Sequence, residues 1–175
     1  MIPSAQWIHL GKGCVMRKKV FTVRETYHSE RIRALVIGED APLEEVVRRF
    51  TKPRVLRAIF IVDAEGRLTG VVTRTDLLDY VKVKLGIWDY AWPSWKRAVK
   101  YLYATNAKDL VHKGSSDAYV RLDDDVAKAL HIMTDHDLID VPVVDDKGRI
   151  LGDIGVPDII LKLLVSSKRK LRKSL

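Results

Sequence analysis

Thr73 and Asp76 stand three residues apart where an apolar run gives way to a helical pattern. The stretch is Gly70-Val71-Val72-Thr73-Arg74-Thr75-Asp76. Its chemistry is that of an acceptor site. A carboxylate accepts hydrogen bonds from hydroxyl groups, and charged acceptors make the stronger bonds. Amides at a helix N-terminus attract phosphate. The same Thr and Asp are also what a helix cap requires, and both uses are open at this point. The stretch returns as Gly152-Asp153-Ile154-Gly155-Val156-Pro157-Asp158, which keeps the Gly and the Asp but puts Gly155 where Thr73 stands. Asp63, Gly66, Arg67, Gly70 and Asp76 recur as Asp145, Gly148, Arg149, Gly152 and Asp158, all at an offset of 82. Five identities at one offset mark an internal repeat.

The elements that position these residues follow from apolar period and turn chemistry. Ile59–Val62 and Leu68–Val72 flank Asp63-Ala64-Glu65-Gly66 and read as a hairpin. A helix follows from about Thr75, with Leu77, Leu78 and Val81 expected on its buried face. Upstream, Leu35-Val36-Ile37 is a short strand. Asp40-Ala41-Pro42 then opens a helix whose face is Leu43, Val46, Val47 and Phe50, closed by Lys52-Pro53. The second unit repeats this plan. Tyr119 and Val120 give the strand, Asp123-Asp124-Asp125 the helix start, and Val126, Ala129, Leu130 and Met133 the apolar face. Asp135 to Asp140 is the connecting loop, and Pro157 to Val165 the closing helix. Ala107 to Val111 is a helical lead-in to this unit, with Val23 to Tyr27 as its weaker counterpart.

The fold class expected is therefore α+β (α/β mixed), two β-α-β-β-α repeats related by a pseudo-twofold axis. Residues 1–15 are expected as an extended or irregular arm docked by Trp7 and Ile8, and Arg17 to Val23 as a strand. The first repeat takes residues 16–81 and the second 107–165. Between them, residues 82–106 form an aromatic helical insertion. There Gly86 breaks the preceding helix, and Pro93 opens another running to about Tyr103. Trp88, Trp92, Trp95, Val99 and Leu102 are expected as its apolar face, packed on the protein or on a partner. Residues 166–175 are a basic tail.

One repeat alone would bury only about 60% of its unfolded surface, so two must share a core. The most apolar stretch, Ile150 to Val165, is broken by Asp153, Asp158 and Lys162 and does not read as a membrane span. The first residues lack the pattern of a secretory signal, and the lone Cys14 permits no internal disulfide. The expected location is cytoplasmic. His9, His28, His112, His131 and His136 are scattered without a zinc spacing, and Asp123–Asp125 lacks that of a calcium loop. Asp135-His136-Asp137 reads as solvated loop charge, and Ser115-Ser116 has no neighbouring base. No metal site and no catalytic residue is expected. The net charge of +8 favours acidic ligands in general. Part of it is Lys168, Arg169, Lys170, Arg172 and Lys173, a run suited to nucleic acid or another polyanion.

Two β-α-β-β-α units, each with a hairpin ending in Gly-x-x-x-x-x-Asp, resemble a tandem pair of cystathionine-β-synthase-type (CBS) domains, the Bateman module. The resemblance covers about Ala34 to Leu164 apart from the insertion. It implies a regulatory, non-catalytic module that binds an adenosine-containing ligand between the units, works as a homodimer, and acts on a partner protein. No catalytic cofactor is implied; AMP, ADP, ATP or another adenosyl compound is the effector. Gly70-Val71-Val72-Thr73-Arg74-Thr75-Asp76 fits the family's nucleotide motif throughout. By that resemblance Asp76 takes the ribose hydroxyls, Thr73 and the helix start face phosphate, and Gly70 and Val71 bring backbone close. Arg57 and Ala58, just before the hairpin, line the adenine and phosphate side, and Ile139 adds apolar surface across the axis. In the second copy Asp158 is kept, but Gly155, Asp153 and Asp140 depart from the pattern. That cleft is expected to be empty, weaker, or suited to a less anionic ligand. The competing reading is a polyanion-binding scaffold that uses the basic tail, its clefts vestigial.

Overall fold

The computed structural model describes residues 6–10, 13–17, 21–27, 36–51, 58–87, 93–112 and 114–171. Two three-stranded sheets carry the repeat. In the first, β3 (Val36–Gly38) pairs parallel with β4 (Ala58–Val62), and β4 pairs antiparallel with β5 (Leu68–Thr73). In the second, β6 (Val120–Arg121) pairs parallel with β7 (Asp140–Val144), and β7 antiparallel with β8 (Ile150–Gly155). The registers are the same: Ala58 faces Thr73 as Asp140 faces Gly155, and both hairpins carry a bulge before their last pair.

The repeated turn residues have a local purpose. Asp63 Oδ1 accepts from the amides of Glu65 at 3.0 Å and Arg67 at 2.8 Å, and Arg67 Nε donates to Asp63 Oδ2 at 2.6 Å. Asp145, Lys147 and Arg149 repeat this at 2.8 and 2.9 Å. Gly66 and Gly148 both have φ of 78°, a left-handed conformation in which glycine carries no steric penalty. The two turns meet: Arg67 and Arg149 form a bridge, and Leu68 N donates to Gly148 O at 3.0 Å. Equivalent residues touch one another only near a symmetry axis, so the pseudo-twofold passes here.

Among the described residues the two repeats carry the helices α1 (Leu43–Phe50), α2 (Arg74–Leu85), α5 (Val126–Asp135) and α6 (Val156–Leu171) outside the sheets. The insertion contributes α3 (Trp95–Leu102), and α4 (Ala107–Leu110) is the second lead-in. Every residue of β4 is buried, because its two faces serve two cores. Ala58 and Phe60 face a core shared with Val120, Val143 and Ile154 of the second unit. Ile59 and Ile61 face Val46, Val83, Ala98 and Tyr101.

The lead-ins are exchanged between the units. Val126 N donates to Phe21 O and Val23 N to Asp124 O, so the first lead-in, a short 3-10 turn at Val23–Glu25, docks on the start of α5. Reciprocally, Leu43 N donates to Thr105 O and Ala107 N to Ala41 O, so the second lead-in docks on the start of α1. Neither unit has a complete set of backbone partners alone.

Several expectations are corrected. Of the extended or irregular arm expected over residues 1–15, the extended form is found: Gln6–Leu10 (β1) pairs antiparallel with Gly13–Arg17 (β2) in a regular hairpin. Of the strand expected from Arg17 to Val23, residues 18–20 lie outside the described residues; Arg17 is the last residue of β2, and Val23 sits in the 3-10 turn, where docking on α5 buries it. Gly86 does end α2, with φ of 64°. Leu77 packs half-buried on the core as expected, but the fully buried residues of α2 are Asp76, Asp79 and Val83, while Leu78 and Val81 are exposed. Carboxylates turn inward because α3 supplies a cation for them. On α3 the buried residues are Ala98 and Tyr101, and Trp95 is 71% exposed and Leu102 48%. Tyr101 packs edge-to-face on Tyr80 of α2 at 6.1 Å, which rotates the tryptophan face outward. Trp88 and Trp92 lie outside the described residues. Val47 and Leu130, equivalent positions of α1 and α5, are also exposed. Finally, the closing helix, expected to about Val165 with the basic run continuing or fraying from it, does continue: α6 reaches Leu171.

Candidate functional site: the cleft at Thr73 and Asp76

Thr73 ends β5 in an extended conformation, at φ −107° and ψ 173°, and caps α2. Its hydroxyl accepts from Asp76 N at 3.2 Å, and Asp76 Oδ2 accepts from both the amide and the hydroxyl of Thr73 at 2.7 Å. This is a reciprocal capping box, so the helix-cap role open in the sequence is realised. Asp76 is only 2% exposed. Its second oxygen, Oδ1, accepts from Arg97 Nη2 of the insertion helix. Arg97 also lies 3.4 Å from Asp79 Oδ2, one turn along α2, and its Nε donates to Tyr101 Oη at 2.9 Å. The guanidinium thus straps α3 to two inward carboxylates.

A cleft of about 200 Å³ opens beside this pair. Thr73, Thr75, Asp76 and Arg97 form one side; His112 and Ser115 of the second lead-in, with Thr134 to Leu138 at the end of α5, form the other. The two repeats and the insertion all contribute. Ser115 Oγ accepts from Val71 N at 2.9 Å and donates to His112 O at 2.8 Å. The Val71 amide is therefore engaged within the protein. Gly70 is explained by packing: a Cβ there would overlap Val111 Cγ1 and lie 2.9 Å from Cγ2.

The other predicted residues are placed as follows. Ala58 is buried and pairs with Thr73 across the hairpin. Arg57 lies outside the described residues. Ile139 is half-exposed, and its carbonyl accepts from Val156 N at 3.1 Å. Asp158 is buried at the start of α6 and accepts from Gly155 N at 3.0 Å. A Cβ on Gly155 would overlap Asp140 Oδ1 and lie 3.2 Å from Asp158 Oδ2. The Asp140 carboxylate therefore fills the space that Thr73 uses in the first copy, which accounts for glycine there. Lys168, Arg169 and Lys170 fall in the last turns of α6, while Arg172 and Lys173 lie outside the described residues.

Sequence reasoning missed Arg97, His112 and Ser115, and left Asp135, His136 and Asp137 as loop charge, although all six line the cleft. One signal was present. Asp76 and Asp79 share a helix face, and two carboxylates one turn apart demand a cation when buried. Which cation answers was not legible.

His112 Nδ1 lies 3.9 Å from Asp76 Oδ1. Burial pushes the imidazole below its ordinary value of 6.5, and the Arg97 and His136 charges act in the same direction. The unfolded chain then binds a proton that the folded one resists. Its contribution is fully present above pH 6.5 and falls away as the pH drops below that value. Thermal melts at stepped pH should show this slope, and His112→Gln should flatten it. Glu25 and Asp145 are held below their ordinary 4.5 and 3.8 chiefly by backbone amide donors, so their loss forms a separate, more acidic limb.

Comparison with known proteins agrees with this architecture. A solved CBS domain-containing protein from Thermotoga maritima is 26% identical, with a TM-score of 0.67, covering 84% of this chain and 96% of that one. The magnesium transporter MgtE of Thermus thermophilus is 28% identical over 130 residues, 72% of this chain. The chain spans about a quarter of that relative's length, 24%. The cytosolic domain of the Mg2+ channel MgtE, solved in complex with ATP, is 26% identical with a TM-score of 0.50, covering 72% of this chain and 43% of that one. Among the described residues no helix is long and apolar enough to cross a membrane. The model of the CBS domain matches residues 13–83 and again 107–165, the two halves that exchange their lead-ins, and the chain belongs to the CBS domain family.

Proposed function

We propose that the chain is a regulatory module whose effector is an adenosine-containing nucleotide, bound in the cleft at Thr73 and Asp76. The observation that carries this is the state of Asp76. Asp76 lines the cleft, and its Oδ1 is held by a cation from another element rather than by its own helix. Ribose hydroxyls can replace the guanidinium on Oδ1. Arg97 is then released to a phosphate, an anion that suits its forked geometry. Binding so exchanges one ion pair for another and loosens the strap between α2 and α3. The likeness to an MgtE cytosolic domain solved with ATP supports a nucleotide as effector. The second cleft, with Asp140 beside Asp158, repels phosphate and takes at most a less anionic ligand.

The test is a thermal-shift panel of AMP, ADP, ATP, S-adenosyl methionine and NAD. A ligand at 100 times its Kd adds about 2.7 kcal/mol, a rise of several degrees at this size. No rise with any of them overturns the reading.

The module acts as a homodimer in this proposal. Leu78, Val81 and Leu85 make an exposed apolar stripe on α2, and Ile160, Leu161 and Leu164 another on α6. Leu78 and Ile160 are equivalent by the offset of 82, so the stripes are related by the pseudo-twofold and suit a second copy. Sedimentation should give a dimer for the native chain and a monomer for Leu161→Asp. A native monomer rejects this part.

A further inference from the structure

Another cleft, of about 660 Å³ and separate from that at Asp140 and Asp158, lies on the other side of Arg97 and His112. It exists because of the insertion. Ser94, Lys96, Arg97 and Lys100 of the α3 segment form one wall. Lys108, Val111, His112, Gly114 and Ser116 of the second lead-in form the other, with Thr69 and Glu39 at the edges. Four of these residues carry positive charge and one a negative charge. Lys108 is compensated by Asp40 at 2.6 Å, and Arg97 by Asp76 and Asp79. Among the described residues, no carboxylate pairs with Lys96 or Lys100 at salt-bridge distance.

Lys100 is the informative one. Its ammonium is oriented by two backbone carbonyls, donating to Lys108 O at 2.9 Å and Val111 O at 3.2 Å. An ammonium has three donors, so one remains. Burial pushes its pKa below the ordinary 10.5, with Arg97 adding to that and Asp109 opposing it. Lys100 is exposed, yet its ammonium is fixed by two carbonyls and has no paired carboxylate among the described residues, so its remaining donor is oriented for an incoming anion in advance.

We propose that this cleft is an oligophosphate site, in which Lys96 and Lys100 hold phosphoryl oxygens and the hydroxyls of Ser94 and Ser116 complete the shell. The oligophosphate is either free or the tail of a nucleotide whose ribose sits at Asp76. The two sources share one chemistry, and Arg97 stands between the two clefts. The site does not depend on the nucleotide reading.

Calorimetric titration of the full chain with sodium tripolyphosphate, AMP and ATP separates these. Tripolyphosphate is expected to bind, and Lys96→Ala and Lys100→Gln each to weaken it about tenfold, the scale of one charged hydrogen bond. Lys96 is exposed, so its replacement leaves the fold in place. ATP binding more tightly than AMP, with that advantage lost in both variants, assigns the site to a nucleotide tail. Tripolyphosphate binding with ATP no tighter than AMP assigns it to free oligophosphate. Absence of tripolyphosphate binding, or equal affinity in native and variant chains, overturns the proposal. Failure of the nucleotide reading looks different: tripolyphosphate binds while neither AMP nor ATP does.

Discussion

Asp76→Ala is expected to lower the melting temperature by on the order of 10 °C and to abolish the shift produced by the adenosyl effector. Three losses coincide. The capping box at the start of α2 disappears, which costs about 1 kcal/mol. Arg97, only 22% exposed at its side chain, is left beside Asp79 without its main acceptor. Removing one partner of a buried pair costs about 3–5 kcal/mol. The lower end applies here because the guanidinium keeps Asp79 and the Tyr101 hydroxyl. The acceptor proposed for ribose goes as well. Urea denaturation should therefore show a loss of about 4 kcal/mol. The double variant Asp76→Ala with Arg97→Ala should cost less than the two single variants added, with a coupling of about 2 kcal/mol. Additive effects would mean that Arg97 does not depend on Asp76. Asp76→Asn keeps a cap acceptor without the charge, so it separates ligand recognition from folding. If that variant keeps the native thermal shift, Asp76 does not hold the effector.

Gly70→Ala is expected to cost about 3 kcal/mol, the upper end for overpacking a core. The added methyl overlaps Val111 Cγ1 and presses on Cγ2 and Cβ, at 2.9 and 3.1 Å. Val111 cannot yield easily. It is β-branched, its amide donates to Lys108 O at 3.3 Å, and its carbonyl holds the Lys100 ammonium at 3.2 Å. The strain falls on the segment that carries His112 and Ser115, so the cleft is deformed and effector affinity drops with stability. Val111→Ala in the same chain removes the overlapping atoms and should recover most of the loss in chemical denaturation. A Gly70→Ala chain as stable as the native one would show that the lead-in moves away at no cost. The glycine of the motif would then have another purpose.

The repeat was legible because its identities serve local geometry. Asp63, Gly66 and Arg67 close a turn within five residues, and Asp145, Gly148 and Arg149 close its copy. Such contacts depend on little beyond the neighbouring chain. The strands, the face of α1 at Leu43 and Val46, and the break at Gly86 were readable for the same reason. Helix faces failed where two surfaces competed for apolar side chains. Leu78 and Val81 match the period of a buried stripe as well as that of an exposed one, and Trp95 suits a core as well as a surface. Composition cannot choose between them.

Of the candidate site, Thr73 and Asp76 were visible as a motif, and their mutual capping followed from spacing three residues apart. Arg97, His112 and Ser115 were not, since they reach the cleft through the insertion and the exchanged lead-in. The sequence alone determined what closes over short range: two hairpins, their turns, the caps, and a glycine where a second copy lacks threonine. Tertiary structure decided which groups meet across longer distances. It turned Asp76 and Asp79 inward toward Arg97, set Val111 on Gly70, and put Asp140 over Gly155. The physical reason is that charge pairing and close packing are settled by which surfaces fold together, and no periodicity along the chain encodes a partner twenty or more residues away.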